Sequence, residues 1–302
     1  MVTRAWSAKI IVRTSDYNII DGIINSFDKN TILELFRRAN LCRTFEICLR
    51  QLMQKREFHI PIYLSVGQEF VAAAVSMTYT NCSIFAQHRS HSWYLSYGGN
   101  IEALIDELLG KESGCCGGMG GSASIHDQNI KMFGHDGLLG DQIPIAVGFA
   151  LSGEKVLTVA GDAAIEEDYA LGAMGFAASK NLNILFVCED NDLSILTPVK
   201  VRRSWNICDI AKAFDIKYSD ISDDPWTVMT ILSNIQNPYL LNIKTCRELW
   251  HVGCGQDTLP EWDRYNIVKN QISQIGLKKE MNEIEEQNNI KVNDLWEKHL
   301  PK

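Results

Sequence analysis

The chain has 302 residues, 46% of them hydrophobic and 22% charged, which is enough apolar material to bury one large core or two modest ones. Its 29 basic and 37 acidic side chains give a net charge of −8 and are interspersed rather than blocked, which argues against nucleic acid as a partner. Every apolar run is too short to span a membrane, and nine cysteines without a secretory signal or paired C-x-x-C spacing read as reduced thiols in a cytoplasm rather than as disulfides or a zinc site.

Arg4, Lys9 and Arg13 stand in an acid-free start, a weak transit-peptide feature, and residues 1–30 are read as a plain N-terminal extension. Apolar positions at helical spacing (Ile32, Leu33, Leu35, Phe36, later Leu49, Leu52 and Met53) predict a long amphipathic helix from about Asn30 to Lys55. Further helices are expected over Gln68 to Met77 and Ile101 to Leu109, the latter with its acids facing water. The glycine-rich stretch from Gly114 to Ser122 has neither a β-branched run before it nor G-x-G-x-x-G spacing, so it supports neither a dinucleotide fingerprint nor a P-loop. Backbone freedom near a ligand or another chain is the remaining reading.

Lys155 to Ala160 reads as a buried strand, Ala164 to Ser179 as a helix and Asn183 to Cys188 as a second buried strand. Strand, helix, strand is a βαβ unit, which implies a parallel sheet with helices on both faces. The alternation continues with a helix over Trp226 to Ile235 and a strand over Tyr239 to Ile243. One α/β domain is therefore expected over 31–260, followed by a charged helical tail over 261–302 with no core of its own.

The chemistry concentrates in the βαβ unit, where Gly161-Asp162 ends one strand and Asp190-Asn191-Asp192 ends the next. Ligands of open parallel sheets bind beyond the carboxyl ends of the strands, so both loops should face one crevice. A carboxylate and an amide oxygen are hard ligands suited to magnesium or calcium, and magnesium commonly completes its shell with phosphate. Taken alone, an Asp and an Asn at strand ends are more often caps or turn formers than ligands.

The wider sequence resembles a known family. Gly161-Asp162, followed twenty-nine positions later by Asn191, within GDAAIEEDYALGAMGFAASKNLNILFVCEDNDLSILTP, is similar to the thiamine diphosphate motif running from G-D-G to N-N. More narrowly, the chain resembles the alpha subunits of pyruvate, branched-chain 2-oxo acid and acetoin dehydrogenases from about Leu33 to Asp257. Gly67-Gln68-Glu69 looks like the family's G-Q-E, and His88-Arg89-Ser90-His91 stands where it has Y-R-x-H. Glu107-Leu108-Leu109-Gly110 and Gly120-Gly121-Ser122 resemble E-L-x-G and G-G-S-M-H. Gly137 to Pro144 resembles G-I-V-G-x-Q-x-P, and Thr245 to Gly253 resembles the T-Y-R-x-x-x-H region.

The resemblance implies the phosphate-binding half of a thiamine diphosphate-binding fold. It implies that His88, Arg89, Gly161, Ala163, Ala164 and His251 surround the diphosphate, and that Gly137 and Leu139 hold the aminopyrimidine side. Asp162, Asn191 and the carbonyl of Leu193 would hold Mg2+, while His251 and His91 would be catalytic. Departures are Ala163 and Asp168 at usual glycines, Gly172 at a usual Glu, His88 at a usual Tyr and Ser124 at a usual His, which marks a divergent member.

The function so implied is decarboxylation of a 2-oxo acid and transfer of the acyl or aldehyde unit to an acceptor, possible acceptors including a lipoyl carrier protein. The pyrimidine-activating glutamate would come from a separate beta-type chain in an alpha2-beta2 assembly. The competing readings are a transketolase-like or acyloin-forming carbon-carbon ligase, and a non-catalytic structural or regulatory subunit.

Overall fold

Two consecutive apolar runs, VLTVAG and ILFVCED, are buried along almost their whole length, as expected of central strands covered on both faces. A computed structural model describes residues 23–56, 58–256 and 260–300, so residues 1–22 of the expected N-terminal extension, and Asp257 at the end of the resemblance, lie outside it. The helices are α1 (Lys29–Lys55), α2 (Glu69–Thr78), α3 (His91–Ser96), α4 (Ile101–Leu108), α5 (Gln142–Ala150), α6 (Asp168–Ser179), α7 (Val199–Arg202), α8 (Ile207–Ala213), α9 (Pro225–Leu232), α10 (Arg264–Gln274) and α11 (Lys278–His299). The strands are β1 (Ser83–Phe85), β2 (Met132–Phe133), β3 (Val156–Gly161), β4 (Ile184–Asp190), β5 (Leu193–Ser194), β6 (Thr197–Pro198), β7 (Lys217–Ser222) and β8 (Tyr239–Lys244).

Six strands form one all-parallel sheet in the order β2-β1-β3-β4-β8-β7. Side chains alternate across it with the period of two that strands impose. Leu157, Val159, Leu185, Val187, Leu241 and Ile243 point into a large core shared with α1, α2, α9, α10 and α11. Val156, Ala160, Ile184, Phe186, Cys188 and Leu240 point the other way, onto α5, α6 and α8. The charged tail is helical, and its buried Val268, Ile272, Met281, Ile284, Val292 and Trp296 join the larger core. Among the described residues no helix is long and apolar enough to cross a membrane.

Three local features differ from the sequence expectation. The helix expected over Ala164 to Ser179 is a short 3-10 turn, Ala164–Glu166, then α6, separated by Glu167 in extended conformation (φ −62°, ψ 143°). The acids of α4 do not all face water, because Asp106 and Glu107 are buried. Glu107, at 0% exposure, explains the glycine-rich stretch. Its Oε2 accepts from the amides of Cys116 (2.7 Å) and Gly118 (2.9 Å), and its Oε1 from those of Gly120 (2.7 Å) and Gly121 (2.8 Å). Wrapping four N–H groups around one carboxylate requires Gly118 at φ +76°, where a Cβ would also lie 2.7 Å from the Gly110 carbonyl oxygen. The loop's backbone freedom therefore serves an internal anion.

Candidate functional site

The strand order fixes where a ligand can enter. From β1 the chain moves outward to β2, and from β3 it moves to β4 on the opposite side, so the crevice between β1 and β3 is the topological switch point of the sheet. The cleft there is lined by Gln87, His88 and Arg89 after β1, Gly161 to Ala164 after β3, and Asn191, Leu193, Ser194 and Ile195 after β4. Leu139 and, beyond β8, Arg247 and His251 complete it.

Each lining group is held by identifiable contacts. Arg89 is buried and donates to the carbonyls of Leu64 (2.6 Å) and His251 (2.9 Å), which ties the β1 loop to the segment after β8. Burial, then Arg247, lowers its pKa to about 10. Arg247 donates to the carbonyls of Leu249 and Ile195, both at 2.9 Å, and so clamps the β5-β6 hairpin against the same segment. Tyr63 packs edge-on against His88 (4.7 Å between centroids) and His251 (5.5 Å). Burial first, and Arg89 second, hold the His88 pKa down at about 2 and the His251 pKa at about 4, so both rings are neutral at physiological pH.

Asp162 is 2% exposed. Burial and the neighbouring charge of Asp190 raise its pKa to about 6, against the opposing pull of Arg202 and Arg203. Its carboxylate is ion-paired with Arg202, whose Nε also holds Glu166 at 2.7 Å, while Arg203 donates to the Asp162 carbonyl (2.9 Å) and to Glu166 (2.7 Å). Asn191 Oδ1 accepts from the Leu193 amide (3.2 Å), so this residue is a turn former as well as a cleft residue.

The structure thus brings His88, Arg89, Leu139, Gly161, Asp162, Ala163, Ala164, Asn191, Leu193 and His251 into one cleft. Ala163 sits at φ −84°, ψ −35°, a conformation open to any L-residue, so the methyl group in place of the family's glycine is not strained. Two expected residues are not in the cleft lining. His91 is 0% exposed and has both ring nitrogens engaged, Nδ1 with Glu46 (3.1 Å) and Nε2 with Ser122 Oγ (2.8 Å), so it does not face an open channel. Gly137 lies on an exposed turn at φ +110°, beside Leu139 but outside the cleft wall. The sequence reading missed Gln87, Ser194, Ile195, Arg247 and the Arg202 clamp. Arg247 stood in the quoted Thr245-Cys246-Arg247 segment, and the pair Arg202-Arg203 just beyond Thr197-Pro198 was the available signal for a cation near Asp162.

Comparison with known proteins agrees with this architecture. The model of the family described as the dehydrogenase E1 component matches residues 37–234. The pyruvate dehydrogenase E1 component subunit alpha of Rickettsia bellii is 28% identical over 242 residues, covering 74% of this chain and 73% of that protein. The alpha subunit of acetoin:2,6-dichlorophenolindophenol oxidoreductase from Cupriavidus necator is 32% identical over 180 residues, 57% of this chain and 54% of that one. Among solved structures, transketolase from Campylobacter jejuni superposes with a TM-score of 0.54 at 15% identity, covering 90% of this chain. The match spans only 49% of the transketolase chain, and the pyruvate dehydrogenase alpha-1 subunit of Oryza sativa is matched over 43% of its length. Sheet order and layering define an α/β fold of the thiamine diphosphate-binding type, a parallel sheet with helices on both faces. Within that class the chain belongs to the dehydrogenase E1 component family, as a divergent relative of its alpha subunits.

Proposed function

We propose that this chain is the alpha-type subunit of a thiamine diphosphate-dependent enzyme that decarboxylates a 2-oxo acid and passes the acyl or aldehyde unit to an acceptor, working with a beta-type chain in an alpha2-beta2 assembly. The observation that carries the reading is the convergence of Asp162, Asn191 and Arg89 in one cleft at the switch point of the sheet. When bound, the cofactor supplies the electron sink for breaking the bond between the keto carbon and the carboxylate.

The donor set fits a hard cation. Asp162 and Asn191 offer oxygens from the ends of adjacent strands, the Leu193 carbonyl lies on the same loop, and Asp162 is a buried carboxylate whose present counter-ion is Arg202. Asp162, Asn191 and the Leu193 carbonyl would hold Mg2+, with Arg202 leaving the Asp162 carboxylate to make room. Arg89, fixed by two carbonyls, offers its remaining N–H groups to phosphate oxygens. His251, neutral at physiological pH, can accept a proton or hydrogen-bond the substrate carboxylate without adding charge. Leu139 would provide an apolar wall for the cofactor.

Nine unpaired thiols suit a reducing cytoplasm as the place of action, and a lipoyl carrier protein is a candidate acceptor of the transferred unit. The test is co-expression with a beta-type chain and a screen of 2-oxo acids for cofactor-dependent release of carbon dioxide. Activity of the assembled pair, and none from this chain alone, is expected. Turnover of roughly one per second or more by the isolated chain contradicts the two-chain reading.

A further inference from the structure

The turn between β2 and α5 carries His135, Asp136 and Asp141. None of the three lies in the cleft lining. The His135 imidazole and the two carboxylates each bring a ligand atom within 4.8 Å of the others, with His135 Nδ1 3.5 Å from Asp141 Oδ1. His135 is 9% exposed and Asp141 7%. His135 Nδ1 and both carboxylate oxygens of Asp141 are buried with no hydrogen-bond partner. Buried polar atoms are ordinarily satisfied, and three unsatisfied ones on two neighbouring side chains require an explanation.

Two further observations point to a ligand. Asp141 immediately precedes α5 with helical backbone angles (φ −64°, ψ −25°), and its side chain is turned toward His135 rather than capping the helix. His135 is the ion-pair partner of Asp141, and burial together with the adjoining Asp136 carboxylate pushes the Asp141 pKa up to about 7, so one imidazole stands against two carboxylates.

We propose that His135, Asp136 and Asp141 form a divalent transition-metal site, of the class that takes Zn2+, separate from the Asp162 and Asn191 pair. One imidazole nitrogen with two carboxylates is a donor set for zinc and its neighbours rather than for Mg2+, which favours oxygen alone. Tetrahedral metal bonds of about 2.0–2.2 Å place donors roughly 3.4 Å apart, the separation His135 Nδ1 and Asp141 Oδ1 already have at 3.5 Å. Asp136 is exposed and closes the set by rotating its side chain, which also leaves an entry path from solvent. The ion would tie down the turn that carries Leu139, and through it one wall of the cleft.

The test uses the full chain stripped of metal, titrated with Co2+ without thiamine diphosphate and followed by visible absorption. One saturable equivalent is expected. His135→Ala and Asp141→Ala should each weaken it by more than about a hundredfold, since loss even of an outer partner of a metal site costs ten- to a hundredfold, while Asp162→Ala leaves it unchanged. Circular dichroism of each variant checks the fold. Absence of saturable Co2+ binding to the folded chain overturns the proposal. So does binding that survives Asp141→Ala but disappears in Cys116→Ser, which would place the ion at the Cys115-Cys116 thiols, or binding that disappears in Asp162→Ala.

Discussion

Replacing Glu107 by glutamine keeps the shape of the side chain and exchanges one carboxylate oxygen for an amide nitrogen. Whichever oxygen is exchanged, two backbone N–H groups lose their acceptor and meet another donor: Cys116 and Gly118 on one side, or Gly120 and Gly121 on the other. Each buried donor left unsatisfied costs about 1–3 kcal/mol, so the expected loss is about 2–6 kcal/mol, a large part of the ~5–15 kcal/mol that holds a typical domain together. For a domain of this size the melting temperature should fall by roughly 5–20 °C. The damage should reach the cleft, because the loop ends at Ser122, whose Oγ accepts from the Tyr63 amide (2.9 Å) and bonds His91, and Tyr63 packs on His88 and His251. Thermal unfolding followed by circular dichroism, with limited proteolysis of the 114–122 loop, reads both effects. A melting temperature within about 2 °C of the unaltered chain and an unchanged digest would refute the reasoning.

His91→Ala should act on stability rather than on cofactor affinity, because it removes a buried ring that bonds both Glu46 and Ser122 Oγ and leaves a cavity, although Glu46 keeps Ser65 and Ser122 keeps the Tyr63 amide; a loss of about 2–4 kcal/mol in urea unfolding is expected, and a selective fall in turnover with unchanged stability would contradict this placement. His88 is held neutral in the fold but charges below its ordinary pKa once unfolded, so the unfolded chain binds more protons and stability is lost as pH falls from about 6.5 toward 4. Glu69 and Glu189, raised to about 7 chiefly by burial, act in the opposite sense, losing their contribution as pH rises from about 4 to 7. The readout is therefore the difference between His88→Asn and the unaltered chain, with the variant losing less stability on acidification; parallel pH profiles would remove His88 from the account.

How legible the molecule was depended on how local each signal is. The central strands announce themselves because VLTVAG and ILFVCED are buried on both faces, and α1 because its apolar stripe repeats over seven turns. Strand β7 is a polar edge, KYSDIS, whose pairing with β8 supplies what its composition lacks, and β1 and β2 are only three and two residues long. In the same way, Asp162 and Asn191 could be paired from their spacing, since the strands that carry them are adjacent in the sheet. The burial of His91 depends on Glu46, forty-five residues away, and the Arg202 clamp closes over forty residues, so neither contact has a local signature. Glu107 was read as a surface acid because its partners are backbone amides of a loop, which sequence periodicity does not register.

The central claim is that Asp162 anchors a metal-bridged diphosphate at the switch point of the sheet. Calorimetric titration of thiamine diphosphate, with and without Mg2+, into the assembled complex carrying Asp162→Ala tests it most directly, provided circular dichroism shows the variant folded. The account predicts that Mg2+-dependent binding disappears in the variant and is present in the unaltered complex. Unchanged affinity in a folded Asp162→Ala complex would contradict it.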